Sequence, residues 1–319
     1  MVGDSAAASR PSARARLAGS PTPRKERLLK LATGASVAIA SVLVVIKGIA
    51  WIKTGSVAML GSLLDSVLDS VAAIVNLALV RRAIRPANER YRFGHGKAEP
   101  IGGLFQAMII GGSGVFLFAE SVRRFIEPAI PENNALGIAI MVLASLMVGG
   151  LVLFQRFVVR ETGSLVISGD ALHGFGDIAI NLSVIVALVI SSQFNAPYVD
   201  PAIGILLTGI LLWGAWGIGA TALRQLLDEE FSEDERRQIR QAALEHGDVS
   251  DIHDLRTRRA GLNSFIQMHI EMDGAMNLAA AHRIADEVEV SIQLVFPDAE
   301  ILIHQDPHGA EVVPQYFRT

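Results

Sequence analysis

Two pairs of ionisable residues lie four apart inside otherwise apolar stretches: Asp65 with Asp69, and His173 with Asp177. On a helix, four residues advance the chain by about 40° beyond a full turn, so each pair points from one face. Ser62, Asp65, Asp69 and Asn76 fall within about 60° of one another, and Asp170, His173, Asp177 and Asn181 within about 80°. The two stripes are expected to face each other and to pool Asp65, Asp69, His173 and Asp177 in one site. Three carboxylates and one imidazole are oxygen and nitrogen donors suited to a tetrahedral divalent first-row ion such as zinc. A bound ion would neutralise charge that costs about 2.5–3.5 kcal/mol per residue at the centre of a bilayer. When the ion leaves, protons must take its place, because carboxylates in low dielectric favour the protonated form. Histidine adds a group that titrates near neutrality. The chemistry implied is exchange of a metal ion against protons.

Two other readings compete. A purely structural polar cluster would satisfy the same side chains with hydrogen bonds and carry nothing. The string Gly174-Phe175-Gly176-Asp177 resembles one in intramembrane aspartyl proteases, but the other aspartates here follow leucine, and Pro-Ala-Ile stands where Pro-Ala-Leu would be needed.

The elements that must hold these residues are apolar and long. The chain is 51% hydrophobic, with a mean hydropathy of +0.40. Six apolar segments follow one another: Leu31–Ile52, Ser56–Val80, Pro100–Ala119, Asn133–Gln155, Ser164–Ser192 and Pro201–Leu223. Each is long enough to cross about 30 Å of hydrocarbon as a helix. The tail before the first segment carries Arg10, Arg14, Arg16, Arg24, Lys25, Arg27 and Lys30, and the stretch after the second adds Arg81, Arg82, Arg85, Arg90, Arg92 and Lys97. The positive-inside rule then puts both termini in the cytoplasm. Arg123 and Arg124 run against this trend, with Glu120 and Glu127 nearby. Lys47, near the end of the first segment, is expected to snorkel to the interface, and Trp51 to anchor there. Residues 1–27, rich in Ala, Arg, Ser and Pro, read as a disordered cytoplasmic tail. The absence of cysteine excludes thiolate ligands and argues against a copper(I) site.

From Asp228 the composition turns acidic, with 19 acidic residues against 8 basic ones. Ser232, followed by Glu233, Asp234 and Glu235, reads as an N-cap with an acidic first turn, opening a helix to about His246. Strand-like runs near Ile252–Arg258 and Ser264–Glu271, a helix from Asn277 to Phe296 and a strand at Glu300–His304 complete an αββαβ order. The fold class is thus an all-α six-helix transmembrane bundle plus a C-terminal α+β domain of the ferredoxin-like, metallochaperone-like kind. Domains are expected at 28–227 (transmembrane) and 228–308 (cytoplasmic), with a short tail at 309–319. In the second strand Ile266, Met268 and Ile270 would share one face and His269 the other, and His304 and Asp306 would share a face of the last strand.

Thr54-Gly55-Ser56, Leu64–Ser70, Phe93–Glu99, Phe154-Gln155-Arg156, His173-x-x-x-Asp177, His253–Arg258 and Ile303–Pro307 together resemble the cation diffusion facilitator family, specifically its bacterial zinc and iron efflux type. The resemblance covers roughly residues 28–310. It implies a homodimeric antiporter in the inner (plasma) membrane that exports divalent metal from the cytoplasm in exchange for protons. It implies no enzymatic activity, no nucleic-acid partner and no cofactor beyond the transported or regulatory divalent metal, zinc first, with iron(II) and cadmium on the same donors. By the same resemblance Asp65, Asp69, His173 and Asp177 match the transport site. His253, His269, His282, His304 and Asp306 match a two-metal site at a dimer interface, which His308 could join. A loop site matches at Asn88, Tyr91 and His95, where only His95 is a good ligand and a weak or absent site is expected; Glu89 and Glu99 could partly compensate there, but read first as solvated loop charges. Lys97 and Asp228 match positions of a charge interlock. The alternative function is a metal-responsive membrane sensor or assembly protein without significant flux.

Overall fold

A computed structural model of the chain describes residues 22–54, 57–127, 135–194 and 199–309. Of the expected tails at 1–27 and 309–319, residues 1–21 and 310–319 lie outside these residues. The chain divides into two compact units, Thr22–Leu226 and a second that begins at Leu227.

Among the described residues the first unit holds six long helices: α1 (Pro23–Thr54), α2 (Val57–Ala83), α3 (Ala98–Ile126), α4 (Ala135–Thr162), α5 (Leu165–Phe194) and α6 (Val199–Leu226). All except α5 contain, among the described residues, a stretch long and apolar enough to cross a membrane. Helix is the required form there, since hydrocarbon offers backbone N–H and C=O groups no other partner. The helices overrun the apolar segments at several ends. α1 starts at Pro23, inside the expected tail, where proline's fixed φ suits the first helical position and its missing N–H costs nothing. Basic residues at such ends sit where headgroups and water can solvate them.

α3 packs most extensively on α6, α1 on α2, and α4 on α5. Close approaches occur at glycine. A Cβ on Gly174 would lie 2.9 Å from Val152 Cγ2 of α4, and one on Gly176 would lie 2.9 Å from Leu211 Cδ2 of α6. These two residues thin α5 on either side of its chemistry-bearing stripe, as small residues do at membrane helix contacts. Their place in the Gly-x-Gly-Asp string is explained by packing. The two arginines that ran against the charge trend are locally balanced: Glu120 accepts from Arg123 at 2.7 Å and from Arg124 at 2.9 Å.

The second unit contains α7 (Glu233–Leu244), β1 (Asp251–Ala260), β2 (Asn263–Met272), α8 (Leu278–Val295) and β3 (Ala299–Pro307). The αββαβ order is the one expected. α7 opens with a capping box: the Ser232 hydroxyl accepts from Glu235 N–H, and the Glu235 carboxylate accepts from Ser232 N–H. The sheet order is β1-β2-β3, with β1 antiparallel and β3 parallel to β2. Ile239, Ile266, Met268, Ile270, Val288 and Ile292 form its buried core between sheet and helices. Alternation along β2 buries Ile266, Met268 and Ile270 and leaves His269 on the other face.

Candidate metal centres

In the membrane unit, α2 and α5 bring three of the four expected residues together. Asp69, His173 and Asp177 offer ligand atoms that all lie within 4.8 Å of one another. His173 Nε2 is 3.0 Å from Asp69 Oδ1 and 3.9 Å from Asp177 Oδ2. One imidazole nitrogen thus sits between carboxylates from two helices, the arrangement that would receive either a proton or a metal ion. Asp65, one turn along α2, stands outside this trio but lines the same space.

That space is double. A cavity of about 230 Å³ runs among α1, α2, α4 and α5, and Lys47, Asp65, Asp69, Gln155, Asp170, His173 and Asp177 are in its wall. A second, more apolar one of about 730 Å³ lies among α2, α3, α5 and α6, with Phe105, Phe116, Leu117 and Leu211 in its lining. Asp65, Asp69, His173 and Asp177 border both.

Lys47 does not snorkel. Its Nζ donates to Ser66 Oγ at 2.7 Å and to the Ser62 carbonyl at 3.2 Å, both on α2. The serine face of α2 offers acceptors inside the bundle that an apolar neighbour would not, so the ammonium stays beside the cavity. Glu99 is also not the solvated loop charge expected. It is 1% exposed, and its Oε1 accepts from Ser164 Oγ at 2.7 Å and from Val166 N–H at 3.0 Å. A carboxylate from α3 thus caps the N-terminus of α5, where free N–H groups and the helix dipole favour negative charge.

The loop before α3 folds on itself rather than around a ligand set. Asn88 Oδ1 accepts from the backbone N–H groups of Arg90 and Tyr91 at 3.0 and 2.9 Å. His95 is buried and its ring lies 4.5 Å from that of Tyr91, with Nδ1 unpartnered among the described residues. Among the described residues it belongs to no group of three or more potential metal ligands. Lys97 Nζ donates to the Leu226 carbonyl at 3.3 Å, and Asp228 pairs with Arg258 at 3.4 Å.

The second unit carries the other cluster on the open face of its sheet. The strand register puts His253 opposite His269, and His269 beside His304. Their ring centroids are 5.1 and 4.6 Å apart, close to the spacing of neighbouring strands. Two residues further on, Asp251, Glu271 and Asp306 form an acidic row in the same register. Asp306 Oδ2 lies 2.8 Å from His269 Nδ1 and 3.1 Å from His253 Nε2, and Oδ1 lies 3.2 Å from His304 Nε2. Burial pushes the Asp306 carboxyl up. The His269 hydrogen bond, the charges of His304 and His269 and the His253 hydrogen bond outweigh burial and hold it below its ordinary value. Glu271 approaches His253 and His308 at 3.3 and 3.2 Å, a neighbour that sequence reading did not single out. His282 does not join this group within the chain. It is on α8, 68% exposed in its side chain, 3.8 Å from Asp286.

A register irregularity between His253 and Arg256, with Asp254 at φ 48°, makes the row possible. Aspartate tolerates the left-handed region better than most residues, and the extra residue resets the alternation. Ile252 and Leu255 are then both buried while His253 faces the sheet's open side.

Residues 34–227 match the family described as the cation efflux transmembrane domain, and residues 231–308 match the cation efflux protein cytoplasmic domain. The cation-efflux pump FieF of Shewanella oneidensis is 40% identical over 287 residues, 90% of this chain and 97% of that protein. FieF of Serratia proteamaculans is 40% identical over 293 residues, 92% of this chain and 97% of its own length. A solved structure, the metal-bound C-terminal domain of the CzcD transporter from Thermotoga maritima, is 30% identical and covers 24% of this chain and 92% of that one, at a TM-score of 0.24. With both of its units matched in order, the chain is a multi-pass membrane protein that belongs to the cation efflux family.

Proposed function

We propose that the protein is a proton-coupled antiporter that exports divalent metal cations, zinc first, from the cytoplasm. The observation that carries this reading is the trio of Asp69, His173 and Asp177, bordered by two cavities inside a helical membrane unit. The donor set suits zinc by type: carboxylate oxygen and imidazole nitrogen, with no thiolate anywhere in the chain. Iron(II) and cadmium compete for the same donors. Asp65 is assigned as the fourth group, because it lines both of the cavities that the trio borders. Proton coupling follows from the donors themselves, because each must lose its proton to bind metal.

Both termini are assigned to the cytoplasm from the basic residues before α1 and between α2 and α3. The second unit, residues 228–308, is assigned as a regulatory and dimerising domain whose His253, His269, His304 and Asp306 take divalent metal, with His282 available to a partner copy. His95 is assigned no more than a weak part in metal binding. Zinc flux into proteoliposomes, followed with a zinc-sensitive dye alongside an internal pH dye, tests the transport reading. Zinc entry with counter-moving protons, lost in Asp177→Ala, is the expected outcome. Tight metal binding at the sheet with no flux would favour instead a sensor that does not transport.

A further inference from the structure

Five helices of the membrane unit converge on a carboxylate that the donor trio does not use. Asp170 of α5 precedes His173 by three residues. Its Oδ2 accepts from Ser36 Oγ of α1 at 2.6 Å and from Gln155 Nε2 of α4 at 2.5 Å. Its Oδ1 accepts from Asn76 Nδ2 of α2 and from Gln106 Nε2 of α3, both at 3.4 Å. Asn76, Gln106 and Gln155 are each 1% exposed. Even so, Asn76 Oδ1, Gln106 Oε1 and Gln155 Oε1 all lack a hydrogen-bond partner among the described residues.

Two unmet demands therefore coincide. Among the described residues the carboxylate has only neutral hydrogen-bond donors, and three buried carbonyl oxygens around it have no donor there, each a costly state. Rotating a terminal amide by half a turn exchanges its NH2 and its oxygen in nearly the same volume. The shell can thus offer donors to a bare carboxylate, or oxygens to a cation beside it. With the Ser36 hydroxyl, that second state gives an oxygen-only ligand set, the preference of hard cations and the opposite of the nitrogen-containing trio. The 3.4 Å from Oδ1 to the Asn76 and Gln106 amides matches two oxygens at right angles around an ion held at about 2.4 Å. One carboxylate balances one positive charge; a doubly charged ion would leave charge uncompensated in the membrane.

We propose that Asp170, Ser36, Asn76, Gln106 and Gln155 form a second cation site, for a hard monovalent ion of the sodium kind, separate from the trio. Access is provided, since Asp170, Ser36 and Gln155 line the same 230 Å³ cavity as His173. Gly169 is part of the construction. A Cβ there would lie 2.6 Å from Gln106 Cβ, so only glycine admits the Gln106 side chain to the shell.

The test is thermal unfolding of the full-length protein in detergent, freed of divalent metal by chelator, in sodium chloride against choline chloride at equal ionic strength. Sodium should raise the wild-type Tm saturably, by about 2–4 °C, and wild type should retain about one radiolabelled sodium per chain. Asp170→Asn and Gly169→Ala should lose the rise. His173→Ala should keep it, which separates this site from the transport reading. Equal Tm in both salts with no retained sodium overturns the proposal, as does a rise given by acid alone and lost in Asp170→Asn, which would mark a proton site. If Asp170→Asn does not fold, Ser36→Ala and Gly169→Ala decide, and an unchanged sodium response in both overturns it.

Discussion

One nitrogen of His173 faces Asp69 across the helix boundary and Asp177 along its own helix, so the imidazole is shared before any ion arrives. Removing either carboxylate leaves that nitrogen with a single acidic neighbour. Losing even an outer-shell partner typically costs a metal site about 10–100-fold in affinity. Asp69→Ala and Asp177→Ala should therefore lower zinc flux by at least that range, whereas Asp65→Ala should act more mildly because Asp65 stands outside the trio. Flux in proteoliposomes as a function of zinc concentration measures the order, and an Asp65 variant as inactive as the other two would contradict it. These residues were legible because four-residue spacing in an apolar run is a local signal. Lys47 and Glu99 were misread for the opposite reason. Their partners Ser66 and Val166 are 19 and 67 residues away, and nothing in the flanking sequence tells an interfacial charge from one bonded inside. Gln106 and Gln155 did leave a trace, as long polar amides in stretches free of any charge.

Among the elements, α5 depends on a neighbour for its start. Glu99→Ala would leave the Ser164 hydroxyl and the Val166 N–H without their acceptor, a loss of about 0.5–2 kcal/mol by analogy with helix caps. The expected outcome is a lower Tm in detergent, largely restored in Glu99→Gln if hydrogen bonding rather than charge is what matters. In α7 the capping box makes a pH-dependent prediction. Burial pushes the Glu235 carboxyl up, but hydrogen bonds from Ser232 and the charge of Arg259 outweigh it and hold it below the ordinary 4.5. The folded state therefore favours the ionised form. Its contribution is present above the ordinary carboxylate range and is lost as pH falls through the lower folded value. Denaturant unfolding of the protein from about pH 7 down to pH 3 should show an acid decline that is shallower in Glu235→Gln. Parallel declines in the two proteins would sink the assignment. Helix positions were read well from hydropathy, and their ends poorly, because hydropathy marks hydrocarbon thickness while a helix continues into the polar interface. The β1 irregularity at Asp254 was invisible to an alternation pattern, since a bulge breaks the very period being counted.

For the molecule as a whole, the order of elements followed from the run of apolar segments and the change of composition near Asp228. The resemblance names the histidine cluster, but only the register of three strands puts His253, His269 and His304 in one line. Zinc should raise the unfolding temperature of the second unit, and a chelator should reverse the rise. At a zinc concentration 100 times the Kd, the stabilisation is about 2.7 kcal/mol. His269→Ala, the middle of the row, should abolish it, while His282→Ala should leave single-chain binding intact and weaken only zinc-dependent association in sedimentation. The carboxylates and imidazole of the membrane site, finally, form a party wall between two rooms. An ion lodged in that wall already touches both, so its passage would need no long journey. On the transport reading proposed above, whichever of the two rooms stands open decides how the ion leaves.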